Sequence, residues 1–213
     1  MTVITILGAG GKMGNRVTKP LLDTKKYELR FVEKSEAGQA RIREAGHTVM
    51  ELDDALKGTD VVIFTTPDAL VRQISDEVVP KLDPGTKILF LDPAAIAADR
   101  VKHRADISCF VCHPTHPPVF SLLGETDPAA RRDYWGGGLA TQALVFAIAW
   151  GTEEEADLVE TIATEMFAPI SVSHRITVQQ MALLEGGSVL FHRGDRFEGT
   201  LEVNRNNIKF GAY

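Results

Sequence analysis

The sequence of 213 residues contains only two cysteines, Cys109 and Cys112. That count excludes a disulfide framework and fits a reducing, cytoplasmic setting. The two form a C-x-x-C pair, but a metal site would need two further ligands of the same kind. They lie in the apolar run Ile107 to Cys112, which reads as a strand interior, and no metal is expected. There is no basic excess either: the formal charge is -6, which argues against non-specific nucleic-acid binding. Long hydrophobic runs are missing. The apolar stretch Ala143 to Trp150 is far too short to span a bilayer, and no start with a basic segment, an apolar core and a small-residue cleavage site is visible. Internal repeats and low-complexity tracts are lacking as well. A hydrophobic fraction of 44% and a charged fraction of 24% are those of a globular protein with a sizeable core.

What is present, over the first 115 or so residues, is an alternation of two textures. Short β-branched or apolar runs occur at Val3–Leu7, Tyr27–Val32, Asp60–Thr65, Thr86–Leu91 and Ile107–Cys112. Between them lie segments with helical spacing: Met13, Val17 and Leu21 share one stripe, Ala37–Ala45 closes at Gly46, and Pro67 opens a helix reaching about Val79. Near-continuous apolar strands separated by helices imply a parallel sheet covered on both faces. With right-handed crossovers the class is α/β, a doubly wound, mostly parallel sheet of the Rossmann type. A proline-rich segment follows from Pro114 to about Asp127 and reads as a functional loop. A strand is expected at Ala140–Trp150, a helix at Glu153–Phe167, a strand at Ile170–Ser173 and a helix from Thr177.

The glycine loop is the strongest chemical signal. Gly8-Ala9-Gly10-Gly11-Lys12-Met13-Gly14 follows the first strand and opens a helix. In that context Gly8 permits a tight turn, Gly10 and Gly11 allow close approach to a pyrophosphate, and Gly14 lets helix and strand pack closely. The helix start, with Lys12 and Met13, presents N–H donors to phosphate. Glu33 ends the second strand about 20 residues further on, where a carboxylate accepts hydrogen bonds from adenosine ribose hydroxyls and repels a 2′-phosphate. NAD is therefore expected over NADP, although Lys34 beside it could serve a phosphate. Thr66 and Pro67, at the end of the third strand, are candidates for the nicotinamide side. Asp92, after the fourth, is either a cofactor contact or a helix cap.

His113 and His116 lie in Cys112-His113-Pro114-Thr115-His116-Pro117-Pro118, at the exit of a sheet strand. Oxidising an alcohol needs a base for the hydroxyl proton, and histidine is tuned for this near neutral pH. One histidine reads as functional and the other as structural. Arg131 suits bidentate capture of a substrate carboxylate, while Arg132 reads as solvated. His174, Arg175 and the helix carrying Gln179, Gln180 and Glu185 are polar positions that could border a substrate.

These strings, together with Asp92-Pro93-Ala94-Ala95, Glu125-Thr126-Asp127-Pro128, Phe167-Ala168-Pro169 and His174–Val178, resemble the NAD-dependent D-apionate oxidoisomerase group. That group is related to the 6-phosphogluconate and 3-hydroxyacid dehydrogenases. The resemblance covers residues 2–185, and its most specific part is the double-histidine proline string. The His-Pro pair is also similar to prephenate dehydrogenases, where that histidine is catalytic, so His113 is the first choice of base and His116 the second. The resemblance implies oxidation of a small branched sugar acid coupled to an isomerisation, with hydride passing to NAD; Arg131 and Glu185 are the candidate substrate contacts. It further implies an all-helical domain that completes the substrate site and a dimer. Past Glu185 the pattern departs from the group, so the expectation is a Rossmann domain over 1–174 and, over 175–213, the start of a helical domain plus an atypical tail. A monomer or weak homodimer follows; the alternatives are an NAD-binding remnant or regulatory module with little turnover, and a prephenate-dehydrogenase-like enzyme. The helix begun at Thr177 is expected to end near Glu185, because Gly186-Gly187 costs roughly 1 kcal/mol per glycine. Val189–Phe191, Thr200–Val203 and Ile208–Phe210 are expected as hairpin strands, with turns near Gly194-Asp195 and Asn206-Asn207.

Overall fold

The computed structural model describes residues 1–115, 127–133, 138–191, 203–204 and 207–208, with the backbone alone at 185–191 and beyond. Seven strands form one sheet: β1 (Thr2–Leu7), β2 (Tyr27–Val32), β3 (Val61–Phe64), β4 (Lys87–Phe90), β5 (Ser108–Pro114), β6 (Gln142–Trp150) and β7 (Ile170–Arg175). Their spatial order is β2-β1-β3-β4-β5-β6-β7. All neighbours are parallel except β5 and β6. The helices are α1 (Lys12–Thr24), α2 (Glu36–Glu44), α3 (Leu52–Leu56), α4 (Asp68–Val78), α5 (Ala94–Ala97), α6 (Glu153–Met166) and α7 (Val178–Phe191).

Strand alternation divides the core in two. Ile4, Ile6, Val61, Ile63, Leu89 and Phe110 face one side, against Val17 and Leu21 of α1 and Val159, Ile162 and Met166 of α6. Leu7, Val62, Phe64, Ile88, Phe90 and Val111 face the other, against α3, α4 and α7. The inner strands β1, β3, β4 and β5 are therefore apolar on both faces, which is why those runs read as continuous. The same alternation separates the cysteines. Cys109 belongs to one core and Cys112 to the other, so the C-x-x-C pair cannot converge on one ligand.

Local chemistry sets the ends. Thr152 caps α6 by accepting from the Glu155 N–H, while Glu155 reaches back to the Thr152 N–H. Ser35 caps α2 through the Gly38 N–H. The short α3 and α5 have too few residues to show helical spacing. They are held by contacts instead: Ala55 is fully buried under β1, and its carbonyl accepts from Thr5 Oγ1 at 2.8 Å.

Two expectations for the C-terminal part are corrected. Helix α7 does not stop at Glu185; it runs through Gly186-Gly187 to Phe191. Glycine lowers helix propensity but leaves every N–H in place, so two glycines weaken the ladder without breaking it, unlike proline. Val189–Phe191 is accordingly the end of a helix and not a strand. A hairpin does form, with Val203 paired to Ile208 and Asn204 to Asn207. Asn207 belongs to its second strand, Asn207–Ile208. The remaining expected tail strands and Gly194-Asp195 lie outside the described residues. Strand β7 continues to Arg175, two residues past the expected end. Val178 and Met181 of α7 are then buried against the sheet.

Candidate dinucleotide and catalytic site

The glycine loop joins β1 to α1 at the carboxyl edge of the sheet. Gly8 has φ +77°, a left-handed conformation, and its N–H donates to Val32 O at 2.9 Å. A Cβ on Gly10 would sit 2.4 Å from Gly38 O, and one on Gly14 would sit 2.4 Å from Ala9 O. Both positions therefore admit no side chain unless the backbone moves. Helix α1 begins at Lys12 with Gly11 as cap, no side chain satisfies its first turn, and no acid lies there. The first helical N–H groups have no acceptor inside the helix, an arrangement that suits an anion.

Glu33 lies beside this cradle. Its Oε2 accepts from the Gly10 N–H at 3.1 Å, and its Oε1 accepts from the Ser35 N–H at 2.9 Å and from Ser35 Oγ at 2.8 Å. Lys34 turns away and donates to Glu77 on α4 at 2.9 Å. Thr66 follows β3 and is half-buried, and its Oγ1 is enclosed with no hydrogen-bond partner among the described residues. Pro67 is the residue that caps α4. Asp92 accepts from the Ala94 N–H at 2.6 Å and so caps the short turn into α5.

Three titratable groups sit at the adjacent ends of β3, β4 and β5. The Asp68 carboxyl is pushed up by burial and by the charge of Asp92, and His113 opposes the shift. His113 itself is half-buried at the end of β5, with Nδ1 3.2 Å from the Leu91 carbonyl. A carbonyl only accepts, so Nδ1 carries the proton in the neutral ring and the lone pair lies on Nε2. Thr115 ties the strand exit to β6 through its N–H to Ala143 O, at 3.0 Å. His116 lies outside the described residues.

The other expected substrate contacts are placed less centrally. Arg131 lies exposed in a 3₁₀ turn, Ala130–Arg132, whose start is held by Asp127 accepting the Ala129 N–H at 2.8 Å. Arg132 donates to Pro128 O. Glu185 lies within α7, and its side chain is outside the described residues. Arg175 pairs with Glu153, Asp157 and Glu160 of α6, and its hydrogen bonds to Asp157 and Glu160 raise its pKa. His174 is exposed on the edge strand. A cavity of about 650 Å³ lies apart from the glycine loop, among Ile96, His103, Trp150, Val178 and Gln180. No group of three or more His, Cys, Asp or Glu side chains is arranged for a metal among the described residues, and none of their helices is long and apolar enough to cross a membrane.

Spacing alone did not single out Ser35, Gly38 or Asp68. Ser35 and Gly38 form an S-x-x-G start to α2, a signal for a cap, and only folding brings them to the cradle.

Fold and cradle together define a Rossmann-type dinucleotide-binding protein. Residues 2–121 match the model of the acetohydroxy acid isomeroreductase NADPH-binding domain, and residues 124–190 match phosphogluconate dehydrogenase (decarboxylating) C-term. A D-apionate oxidoisomerase from Cupriavidus necator is 46% identical over 185 residues, 86% of this chain and 66% of that one. Another from Rhizobium rhizogenes is 43% identical over 188 residues, 88% of this chain and 67% of that one. The chain belongs to the D-apionate oxidoisomerase family. It spans about two thirds of the length of these curated relatives. A crystal structure described as a semialdehyde dehydrogenase NAD-binding protein from Cupriavidus necator, in complex with calcium and NAD, superposes with a TM-score of 0.82 at 40% identity, covering 93% of this chain and 77% of that one. An NADH-preferring ketol-acid reductoisomerase, 20% identical with a TM-score of 0.68, shares the fold.

Proposed function

We propose that the chain is an NAD-dependent oxidoreductase that oxidises a hydroxyl of a small sugar acid, in the manner of the D-apionate oxidoisomerases it resembles. The observation that carries this reading is His113, held by the Leu91 carbonyl on the same sheet edge as the glycine cradle. The cradle fits a dinucleotide: Gly10 and Gly14 have no room for a side chain, and the enclosed Thr66 Oγ1 calls for a partner. Gly8, Gly10, Gly11, Lys12, Met13 and Gly14 would hold the pyrophosphate, Glu33 the adenosine ribose, and Thr66, Pro67 and Asp92 the nicotinamide half. When bound, NAD supplies the hydride acceptor.

The residues of the chain do the rest. His113 takes the substrate hydroxyl proton on Nε2, and its Nδ1–H stays on the Leu91 carbonyl, so the ring does not need to turn as it becomes charged. Asp68 and Asp92, on neighbouring strand ends, favour the imidazolium that results. Arg131 is the residue proposed for the substrate carboxylate, and Glu185 and His116 would border the sugar. We divide the chain into a dinucleotide-binding part over 1–174 and a part over 175–213 that begins the substrate-covering helices.

The test is the rate of NADH formation by variants. His113→Ala lowers kcat about 10²–10⁴-fold, the usual range for a general base, with NAD affinity nearly unchanged. His116→Ala has the smaller effect. Full activity in both variants would place the base elsewhere.

A further inference from the structure

We propose that Ser35 and Gly38, on the turn into α2, are the positioning residues that set cofactor choice. They pin the Glu33 carboxylate across the mouth of the glycine loop, so that the adenosine end of the site accepts a ribose 2′-hydroxyl and shuts out a 2′-phosphate. The inference rests on the dinucleotide reading above and names the parts that discriminate.

Glu33 is held from three directions. The Ser35 N–H and Oγ donate to Oε1 at 2.9 and 2.8 Å, and the Gly10 N–H donates to Oε2 at 3.1 Å. A carboxylate offers about four acceptor positions, so about one remains for an incoming hydroxyl. The Ser35 hydroxyl has a single proton. It gives that proton to Glu33 and accepts the Gly38 N–H at 3.2 Å, so one side chain both caps α2 and aims the acid.

Gly38 supplies the space. A Cβ there would lie 2.5 Å from Glu33 Cδ, 2.6 Å from Glu33 Cγ and 2.7 Å from Ser35 Oγ. On its other side, the Gly38 backbone is what a Cβ on Gly10 would strike at 2.4 to 2.5 Å. The first turn of α2 therefore lies backbone to backbone on the phosphate loop, with the Glu33 side chain wedged beside it. Any side chain at position 38 must expel Glu33 from this place.

The nearby cations do not compensate. Lys34 is paired with Glu77, and Arg41 Nε donates to the Gly10 carbonyl at 2.7 Å, which braces the same loop. A 2′-phosphate, carrying between one and two negative charges, would meet a fixed carboxylate of like sign. A 2′-hydroxyl would meet an acceptor already in position.

The test is equilibrium titration of the full chain with NAD and NADP, and with adenosine 5′-monophosphate and adenosine 2′-monophosphate as probes of the adenosine end alone. Wild type binds NAD more tightly than NADP, and Glu33→Gln removes the preference. Ser35→Ala and Gly38→Ala each narrow the NAD-to-NADP ratio by about tenfold, the scale of one lost hydrogen bond to a charged group. Affinity for the 2′-monophosphate is maintained or rises. Ser35→Thr keeps the hydroxyl and retains the wild-type ratio, which separates aiming of Glu33 from general damage to α2; this pair decides the matter even if Gly38→Ala fails to fold. A wild-type ratio in Ser35→Ala, with Glu33→Gln losing its preference, would overturn the inference and leave the cofactor reading standing. Binding of neither dinucleotide by the wild type would overturn both.

Discussion

Replacing Gly14 with alanine sets two known effects against each other, and the structure says which prevails. Gly14 is in the first turn of α1, where alanine is favoured over glycine by up to about 1 kcal/mol. Against this, the added Cβ would lie 2.4 Å from Ala9 O, 2.5 Å from Ala9 C and 2.5 Å from Gly8 O. Those are backbone atoms of the glycine loop, and ordinary carbon contacts fall at about 3.5–4.0 Å. Relief requires α1 to move about 1 Å from the loop, and overpacking of this kind typically costs about 1–3 kcal/mol. The net expectation is a loss of about 1–2 kcal/mol. At about 2–4 °C per kcal/mol for a chain of this size, Tm falls by about 2–8 °C. The same displacement moves the helical N–H donors, so NAD affinity falls at least about tenfold. Gly11→Ala is the control: its Cβ meets only Gly8 O, at 3.2 Å, and its Tm stays close to wild type. Thermal unfolding followed by circular dichroism, with and without NAD, reads both effects. A Gly14→Ala chain of raised Tm and intact NAD affinity would refute the close-packing argument.

Three further outcomes are expected. Burial pushes both thiols up, so Cys109 and Cys112 resist alkylation in the folded chain and react on unfolding, which mass spectrometry of iodoacetamide-treated protein checks. Glu155 is held below the usual glutamate range first by Ser108 Oγ, and then by Thr152 and Lys87. Its contribution to stability is thus present above its unfolded pKa and is lost as pH falls through the lower folded value. Ser108→Ala makes the acid-side loss shallower, measured as urea midpoints from about pH 6 downward; an unchanged slope would count against the linkage. Lys34 faces Glu77 rather than the cofactor cradle, so Lys34→Ala leaves the ratio of NAD to NADP affinity within about twofold of wild type, the scale of an exposed ion pair. A large gain or loss in NADP affinity would place that cation in the site.

Strands β1, β3, β4 and β5 were legible because they are buried on both faces, which writes itself into the sequence as a nearly unbroken apolar run; edge strand β2 was legible from the aromatic and β-branched residues among its polar ones. Helix α6 announced itself through Glu153-Glu154-Glu155 at its positive end. Helices α3 and α5, at five and four residues, are shorter than the period that would reveal them and exist through tertiary contacts. The length of α7 was misjudged by treating a propensity cost as a stop. At the site, the glycine loop was readable because its residues are contiguous and each glycine answers a local steric demand. The Ser35–Gly38 clamp was not, since its meaning lies in a backbone contact with Gly10 that only the fold creates. Arg175 shows the converse: a polar residue near the end of the family-like region is drawn to three acids of α6 and leaves the cofactor edge.

The most direct measurement is the formation of NADH when the purified chain is mixed with NAD and D-apionate, beside a panel of other small sugar acids. The account predicts NADH from at least one of these acids, much less reduced cofactor when NADP replaces NAD, and loss of the signal in His113→Ala. A chain that binds NAD yet yields no NADH with any of them would contradict the proposed oxidation and leave a dinucleotide-binding protein without turnover.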